Sequence, residues 1–379
     1  MVIGIEGNVH VGKTTYIINN FSKFNIITET KFKENLNDYD RQVYYINNEF
    51  LKKKQLTANS VLDRTIISTV IYTNNTNTLN KKEKLKIRKI IKDGISKNRI
   101  IIPDYVYCIV YPYKLIALNH IKLAKEKGTQ TSLVDYQYYL NYNLYFSVRF
   151  DSKEKIVSTN DYRQIISYKS QIFNVLLDNI KISSKILLDG CPAIGKTTIG
   201  MGQEKYRYVA EFKYKKYSIQ DYSNQIESIL DRIDILNEKN ILLDTSFLMG
   251  ITHLFYNVDI TQKLKIQIID EIISKIELNR YVTRIVYLIL DKKDIIKRKE
   301  NDVNKVRSHF YNNFRYLDRE INFYKILNKR LGILSNISFI DASSSVEKLI
   351  DTIEKLDDKP LLLVDLFYEI REGIKEGEL

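Results

Sequence analysis

Two stretches of this chain have the residue types and spacing to grip a row of phosphates. Gly7-Asn8-Val9-His10-Val11-Gly12-Lys13-Thr14 and Gly190-Cys191-Pro192-Ala193-Ile194-Gly195-Lys196-Thr197 both fit G-x-x-x-x-G-K-[ST]. Each is followed by a second threonine, Thr15 and Thr198. In such a loop the glycines let backbone N–H groups turn inward around a phosphate. The lysine reaches the outer phosphates, and the next hydroxyl holds Mg²⁺. The chemistry implied is phosphoryl transfer, which needs cations on the phosphates, a held metal ion and a base near the attacking hydroxyl. The motif has meaning only between a strand and a helix. Val2-Ile3-Gly4-Ile5 and Lys185-Ile186-Leu187-Leu188 supply the strands, and a helix can begin at each threonine pair.

The next candidates are carboxylates. Glu29 follows the short apolar run Asn25-Ile26-Ile27, and Asp63-Arg64 follows Ser60-Val61-Leu62. Glu211 follows Tyr206 to Ala210, and Asp244 follows Asn240 to Leu243. Glu29 is placed to take the proton of a hydroxyl acceptor. Asp63 can reach the metal together with Thr14, and Arg64 can meet a phosphate or developing charge. Asp244 with Thr197 repeats the metal pair, and Glu211 repeats the base. The plainer alternatives are a helix-capping carboxylate at 29 and a local ion pair at 63–64.

The spacing repeats as well as the motif. Lys13 to Glu29 is 16 residues and Lys196 to Glu211 is 15; Glu29 to Asp63 is 34 and Glu211 to Asp244 is 33. Asp63 to Tyr107 is 44 and Asp244 to Tyr287 is 43. This reads as a tandem duplication, with domains over 1–181 and 182–358 and a tail over 359–379. No long Gly/Ser linker separates the halves, which predicts that they pack together as an intrachain pseudo-dimer, with further oligomers open.

To position these groups, each half must alternate strands and helices. That predicts an α/β fold, a parallel sheet with helices on both faces. Ligands then bind beyond the C-terminal strand ends, where the loop and both carboxylates of each half fall. The first half is expected to close with a strand at Lys155–Ser158 and a helix from Asp161 to Leu177. The second is expected to carry a long helix from Asn304 to Leu331. The tail, rich in Leu and Phe, is expected to dock as a strand or helix on one unit.

Composition narrows the class. The 379 residues are 44% hydrophobic and 28% charged, which is globular rather than disordered. No apolar run is long enough to span a membrane, and the chain enters its first strand at Val2. The two cysteines, Cys108 and Cys191, fit neither a disulfide framework nor a metal cluster, which points to a reducing, cytoplasmic compartment. Net charge is +13. The lysines are scattered over helical faces, and an enzyme of anionic substrates also needs cations, so nucleic-acid binding is the lesser reading.

These residues resemble the deoxynucleoside kinase and thymidylate kinase family of phosphate-loop enzymes. Ile5-Glu6-Gly7-Asn8 with Gly12-Lys13-Thr14-Thr15 looks like the family's opening loop, and Leu188-Asp189-Gly190 is similar to herpesvirus-type thymidine kinases. The resemblance implies that Glu29 and Glu211 are bases and that Asp63-Arg64 is the acidic–Arg pair, with Ser68 and Tyr72 in family positions. It also places a phosphate-closing lid at Lys122–Lys127 and Arg298–Arg307. The implied function is ATP- and Mg²⁺-dependent transfer to the 5′-hydroxyl of a deoxynucleoside, thymidine being one candidate. A monophosphate acceptor and a non-catalytic nucleotide-binding protein are the alternatives. The chain departs from the pattern where Thr30 and Phe212 replace a proline, where Thr245 replaces the partner arginine, and where the first lid carries no arginine. The first half is therefore expected to be the working unit.

Overall fold

The computed structural model describes residues 1–128, 135–150, 152–158, 162–169, 180–210, 222–256, 260–301 and 314–379. Its backbone divides into two units, Met1–Ile182 and Ser183–Leu379.

Unit 1 runs β1 (Val2–Gly7), α1 (Lys13–Asn20), β2 (Asn25–Ile27), α2 (Asp38–Lys52), β3 (Ser60–Asp63), α3 (Ile66–Asn75), α4 (Lys81–Ser96), β4 (Tyr105–Val110), α5 (Tyr113–Lys127), α6 (Tyr136–Arg149), β5 (Ser152–Ser158) and β6 (Arg163–Lys169). The sheet order is β2-β3-β1-β4-β6-β5. The strands β2, β3, β1 and β4 are parallel. Every residue of β3, and all but the first of β1, is buried. Helices on both faces demand that, and it is why these strands read as unbroken apolar runs. In register, Ile5 lies beside Asp63 and Glu6 beside Cys108, so the strand ends share one rim.

The expected helix from Asp161 is a correction. Residues 163–169 form β6, antiparallel to β4 and paired as a hairpin with β5; residues 170–179 lie outside the described set. The β-branched pair Ile165-Ile166 sits beside Ile109 and Cys108, and burial along Gln164–Tyr168 outweighs any helical spacing. The basic stretch Lys122–Lys127, expected as a lid, forms the last turns of α5, where lysines complement the negative helix end.

Unit 2 runs β7 (Lys185–Gly190), α7 (Lys196–Met201), β8 (Arg207–Val209), α8 (Tyr222–Asp234), β9 (Ile241–Asp244), α9 (Phe247–Tyr256), α10 (Gln262–Lys275), β10 (Tyr281–Val282), β11 (Arg284–Ile289), α11 (Lys292–Glu300), α12 (Phe314–Leu331), β12 (Ile337–Asp341), α13 (Val346–Lys355), β13 (Leu361–Leu362) and α14 (Leu363–Lys375). The five strands of its larger sheet, β12-β11-β7-β9-β8, are all parallel. The place beside the fourth strand is thus taken by antiparallel β6 in unit 1 and by parallel β12 in unit 2. The described part of the expected helix Asn304–Leu331 begins at Phe314, and 302–313 lie outside the described residues. The tail docks within unit 2 both ways: β13 pairs with β10, and α14 packs on α10 and α12. Leu366, Phe367 and Ile370 are fully buried, and Phe367 stacks on Phe247 at 6.0 Å. Burial of this kind contributes up to about 1.5–3 kcal/mol per side chain.

Candidate functional site

The two phosphate loops have the same backbone. Gly7 and Gly190 open them at φ 148° and 137°, and Gly12 and Gly195 close them at φ 86° and 103°. His10 and Ala193 take left-handed values of 60° and 61° between them. A Cβ at Gly7 would fall 3.0 Å from the Ile109 carbonyl oxygen, and one at Gly190 would fall 2.9 Å from that of Leu288. Only glycine lets the turn press that close to the neighbouring strand. Within each loop the lysine folds back. Lys13 Nζ donates to the carbonyls of Asn8 (2.8 Å) and Gly7 (3.2 Å), and Lys196 Nζ to those of Gly190 (2.7 Å) and Cys191 (3.3 Å). Burial, with Arg64 next in size, pulls Lys13 down to about 7.

The hydroxyl–carboxylate pair is present in both units. Thr14 Oγ1 donates to Asp63 Oδ2 at 2.7 Å, and Thr197 Oγ1 to Asp244 Oδ2 at 2.9 Å. The second carboxylate oxygens differ. Asp63 Oδ1 is buried with no partner, a lone pair left for a metal ion or its water. Asp244 Oδ1 accepts from Thr245 Oγ1 at 3.0 Å, and Tyr208 OH adds a bond to Oδ2 at 2.8 Å. The hard oxygens of Thr14 and Asp63 therefore fit Mg²⁺.

A second carboxylate in each unit, passed over as a candidate in the sequence, holds the rim together. Glu6, fully buried, accepts from Thr65 N (2.8 Å), Thr65 Oγ1 (2.7 Å), Ser68 Oγ (2.7 Å) and Tyr142 OH. Asp189 accepts from Ser246 N and Oγ (2.6 Å each) and Tyr324 OH (2.8 Å). Thr65 and Ser246 at the same time cap α3 and α9 through Ile67 N and Leu248 N. This ties the helix after the third strand to the strand before the loop. The legible signal was an acidic residue just before each first glycine.

Between α2 and α3 lies a cavity of about 190 Å³, where a single water needs only about 10–15 Å³. Glu29, Gln42, Tyr45, Glu49, Arg64 and Tyr72 line it, with Thr65, Ser68, Thr69 and Tyr138. Arg64, one of these lining residues, takes φ 63°. Its Nε pairs with Glu29 Oε1 at 2.6 Å and its NH1 donates to Ser68 Oγ at 3.0 Å. Glu29 is 49% exposed in its side chain, Arg64 only 14%, so the carboxylate is the half of the pair open to solvent. The structure thus brings Glu29, Asp63, Arg64, Lys13 and Thr14 to one rim. Gln42 and Glu49, missed in the sequence, come from α2; at i and i+7 they share a helix face.

The unit 2 counterparts of these lining residues differ in type. Thr245, φ 59°, stands at the Arg64 position, and Met249, Gly250 and His253 stand where α3 has Ser68, Thr69 and Tyr72. Arg232 NH1 donates to the carbonyls of Asp244 (2.9 Å) and Thr245; in unit 1 Lys52 Nζ makes the matching bond to Arg64 O at 3.3 Å. Three residues before these cations stand Ile229 and Glu49. A Cβ on Gly250 would meet Ile229 Cγ1 at 2.8 Å, so α8 and α9 are in close contact there. Ile229, Met249, Leu248 and Phe247 are all buried. Glu211 lies outside the described residues.

An arginine stands against each loop; the one in unit 2 falls in the expected stretch Arg298–Arg307, of which 302–307 lie outside the described residues. Arg298, on α11, donates to Ile194 O (2.9 Å) and Ala342 O (2.7 Å) beside the second loop. In unit 1 the arginine against the loop is Arg163 of β6, 3.4 Å from where a Cβ on Gly12 would stand. His10 meets His120 of α5, Nε2 to Nδ1 at 2.9 Å, and burial and that neighbour hold His10 below the usual histidine range. Cys191 is buried in its loop and pushed up to about 12 by that burial, so it is no nucleophile at neutral pH.

No protein-family profile matches the chain, and no curated protein matches it. Among solved structures it is similar to deoxyadenosine kinase from M. mycoides with bound dCTP, at 19% identity and a TM-score of 0.37, covering 45% of this chain and 96% of that one. The dATP-bound form of that enzyme gives 20% and 0.35. The YorR protein from Bacillus subtilis, in complex with phosphorylated GDP, gives 17% and 0.30, covering 45% of this chain and 92% of that one.

Proposed function

We propose that unit 1 is a kinase that transfers the terminal phosphoryl group of ATP to the 5′-hydroxyl of a deoxynucleoside. The observation that carries this reading is Arg64. It bridges Glu29 and Ser68 in the cavity wall and directly follows Asp63, which accepts from Thr14 of the loop. The loop amides and Lys13 grip the phosphates of the donor. Thr14 and Asp63 hold Mg²⁺, which when bound neutralises phosphate charge and orients the transferring group. Glu29, solvent-open and held by Arg64, takes the proton from the acceptor hydroxyl. Arg64 then faces the charge that develops between the two substrates. Gln42, whose Oε1 is buried without a partner, offers an amide edge to a base. Thymidine stays the candidate acceptor named by resemblance, and a base-by-base panel decides it.

We read the two units as a tandem duplication in which unit 2 kept the phosphate loop and filled the acceptor side with Ile229, Met249 and Arg232. A radiolabel assay of deoxynucleosides against their monophosphates tests the whole. Transfer to nucleosides and not to monophosphates is expected. Preference for monophosphates would make this a nucleotide kinase, and ATP binding without any transfer would leave a nucleotide-binding protein.

A further inference from the structure

The cavity wall contains a charged atom that the transfer chemistry leaves unused. Glu49 is 4% exposed and lines the cavity. One of its carboxylate oxygens, Oε1, accepts from Lys52 Nζ at 2.7 Å. The other, Oε2, is buried and has no partner. Lys52 is itself fixed by a second bond to Arg64 O, so the carboxylate is held rigidly with its free oxygen turned away from the lysine. A buried carboxylate oxygen without a donor is costly, and at a cavity wall a ligand's donor can complete it. Unit 2 supplies the control. Its cation at the matching place, Arg232, is retained, but the residue three positions earlier is Ile229, packed against Gly250. The acidic residue that lines the unit 1 cavity is thus replaced in unit 2 by a buried isoleucine.

We propose that Glu49 determines which acceptor is taken, its Oε2 accepting a hydrogen bond from a hydroxyl or amino group of the molecule bound in the unit 1 cavity. This rests on the reading of that cavity as the acceptor site. A donor-bearing ligand completes the carboxylate; an analogue lacking the donor leaves it buried and unpaired. Sites that hydrogen-bond a substrate in this way reject the deletion analogue strongly.

The test is an acceptor panel. Deoxynucleosides are compared with their 2′,3′-dideoxy forms, which removes the sugar hydroxyl. Deoxyadenosine is compared with deoxyinosine and deoxycytidine with deoxyuridine, which removes the base amino group. In the wild type, one of these deletions should lower kcat/KM by about 100-fold, naming the source of the donor. Glu49→Gln keeps the size, and because Lys52 can only donate, the amide oxygen faces the lysine and the NH₂ faces the cavity. The penalty for that one deletion should then shrink to about threefold or less, while the other deletions keep their ratios. Because Glu49→Gln could fail to fold, the double variant Glu49→Met, Lys52→Met removes the pair without stranding a buried lysine and should show the same loss of discrimination. A uniform drop across the panel, unchanged ratios, or a wild type indifferent to every deletion would overturn the assignment while leaving the kinase reading intact. A wild type that transfers to no acceptor would instead overturn the kinase reading, and this one with it.

Discussion

Unit 1 and unit 2 agree at the glycine loop and part at the helices beside it. The loop backbone, the lysine folded onto the first carbonyls, and the threonine–aspartate pair are superimposable in kind. Those features are built from strand ends in fixed register, so one backbone geometry sets them all. The cavity wall of unit 1 is built largely from side chains on α2, α3 and α6, and each can be exchanged singly. Unit 2 shows the exchange. Thr245 stands for Arg64 and Ile229 for Glu49. On α12, Glu320 stands one turn before Tyr324, as Tyr138 stands one turn before Tyr142 on α6. Glu320 accepts from Tyr287 OH at 2.5 Å, and burial pushes it up to about 7. One oxygen of that carboxylate is thus held by a tyrosine of the same unit, and the other, Oε2, is buried without a partner. A phosphate loop is therefore weak evidence for transfer, and the acceptor wall is the stronger evidence.

The widest break between the units should come from their lysines. Lys13→Ala should reduce transfer by about a thousandfold, whereas Lys196→Ala should leave it within about threefold, the spread of an uninvolved site. Equal losses from the two would remove the asymmetry altogether. Next in size, Glu29→Gln should lower kcat by about 10²–10⁴-fold with little change in nucleotide KM, read by steady-state kinetics. Thr245→Arg in unit 2 should restore no second activity, since Ile229 and Arg232 still fill the space; a gain of transfer in a Lys13→Ala background would show that the arginine alone had been missing.

A smaller effect separates the units by stability. Phe367→Ala should cost about 3–5 kcal/mol, because the ring is fully buried against Phe247. Denaturant melts should show this loss, while transfer in the absence of denaturant should persist. Loss of transfer at full folding would mean that the tail serves the chemistry after all.

Much of this was legible in the residues. The strand–loop–helix context, the two acidic strand ends and the α/β alternation follow from apolar runs bounded by glycine and carboxylate. What escaped was set by contacts between distant segments. Gln164-Ile165-Ile166 carries no strand alternation of its own and becomes β6 because β4 offers an edge. Gln42 and Glu49 look like ordinary polar positions of an amphipathic helix until α2 is placed against the cavity. Arg163, the unit 1 arginine at the loop, comes from that same unforeseen strand. The equivalence of Glu6 and Asp189 was visible as a pattern but not as a network, since their donors, Tyr142 and Tyr324, come from over a hundred residues away.

The finest distinction is a proton. Burial holds Lys13 near 7 in the empty loop, against 10.5 for a free lysine. A bound polyphosphate favours the ammonium, so above pH 7 the nucleotide must bring a proton with it. Affinity at the first loop should therefore fall as pH rises from 7, by up to about tenfold per unit. Stability of the empty chain runs the other way. Between 7 and 10.5 the unfolded chain holds this proton and the folded chain does not, so this group makes the fold more stable as pH rises through that window. Titration calorimetry on Lys196→Ala, in two buffers of different ionisation heat at pH 8, should show uptake approaching one proton per nucleotide, and Lys13→Met should abolish it. Zero uptake at pH 8 would mean that Lys13 keeps its charge in the empty loop. The carbonyls of Gly7 and Asn8, rather than a phosphate, would then be what steadies the ammonium.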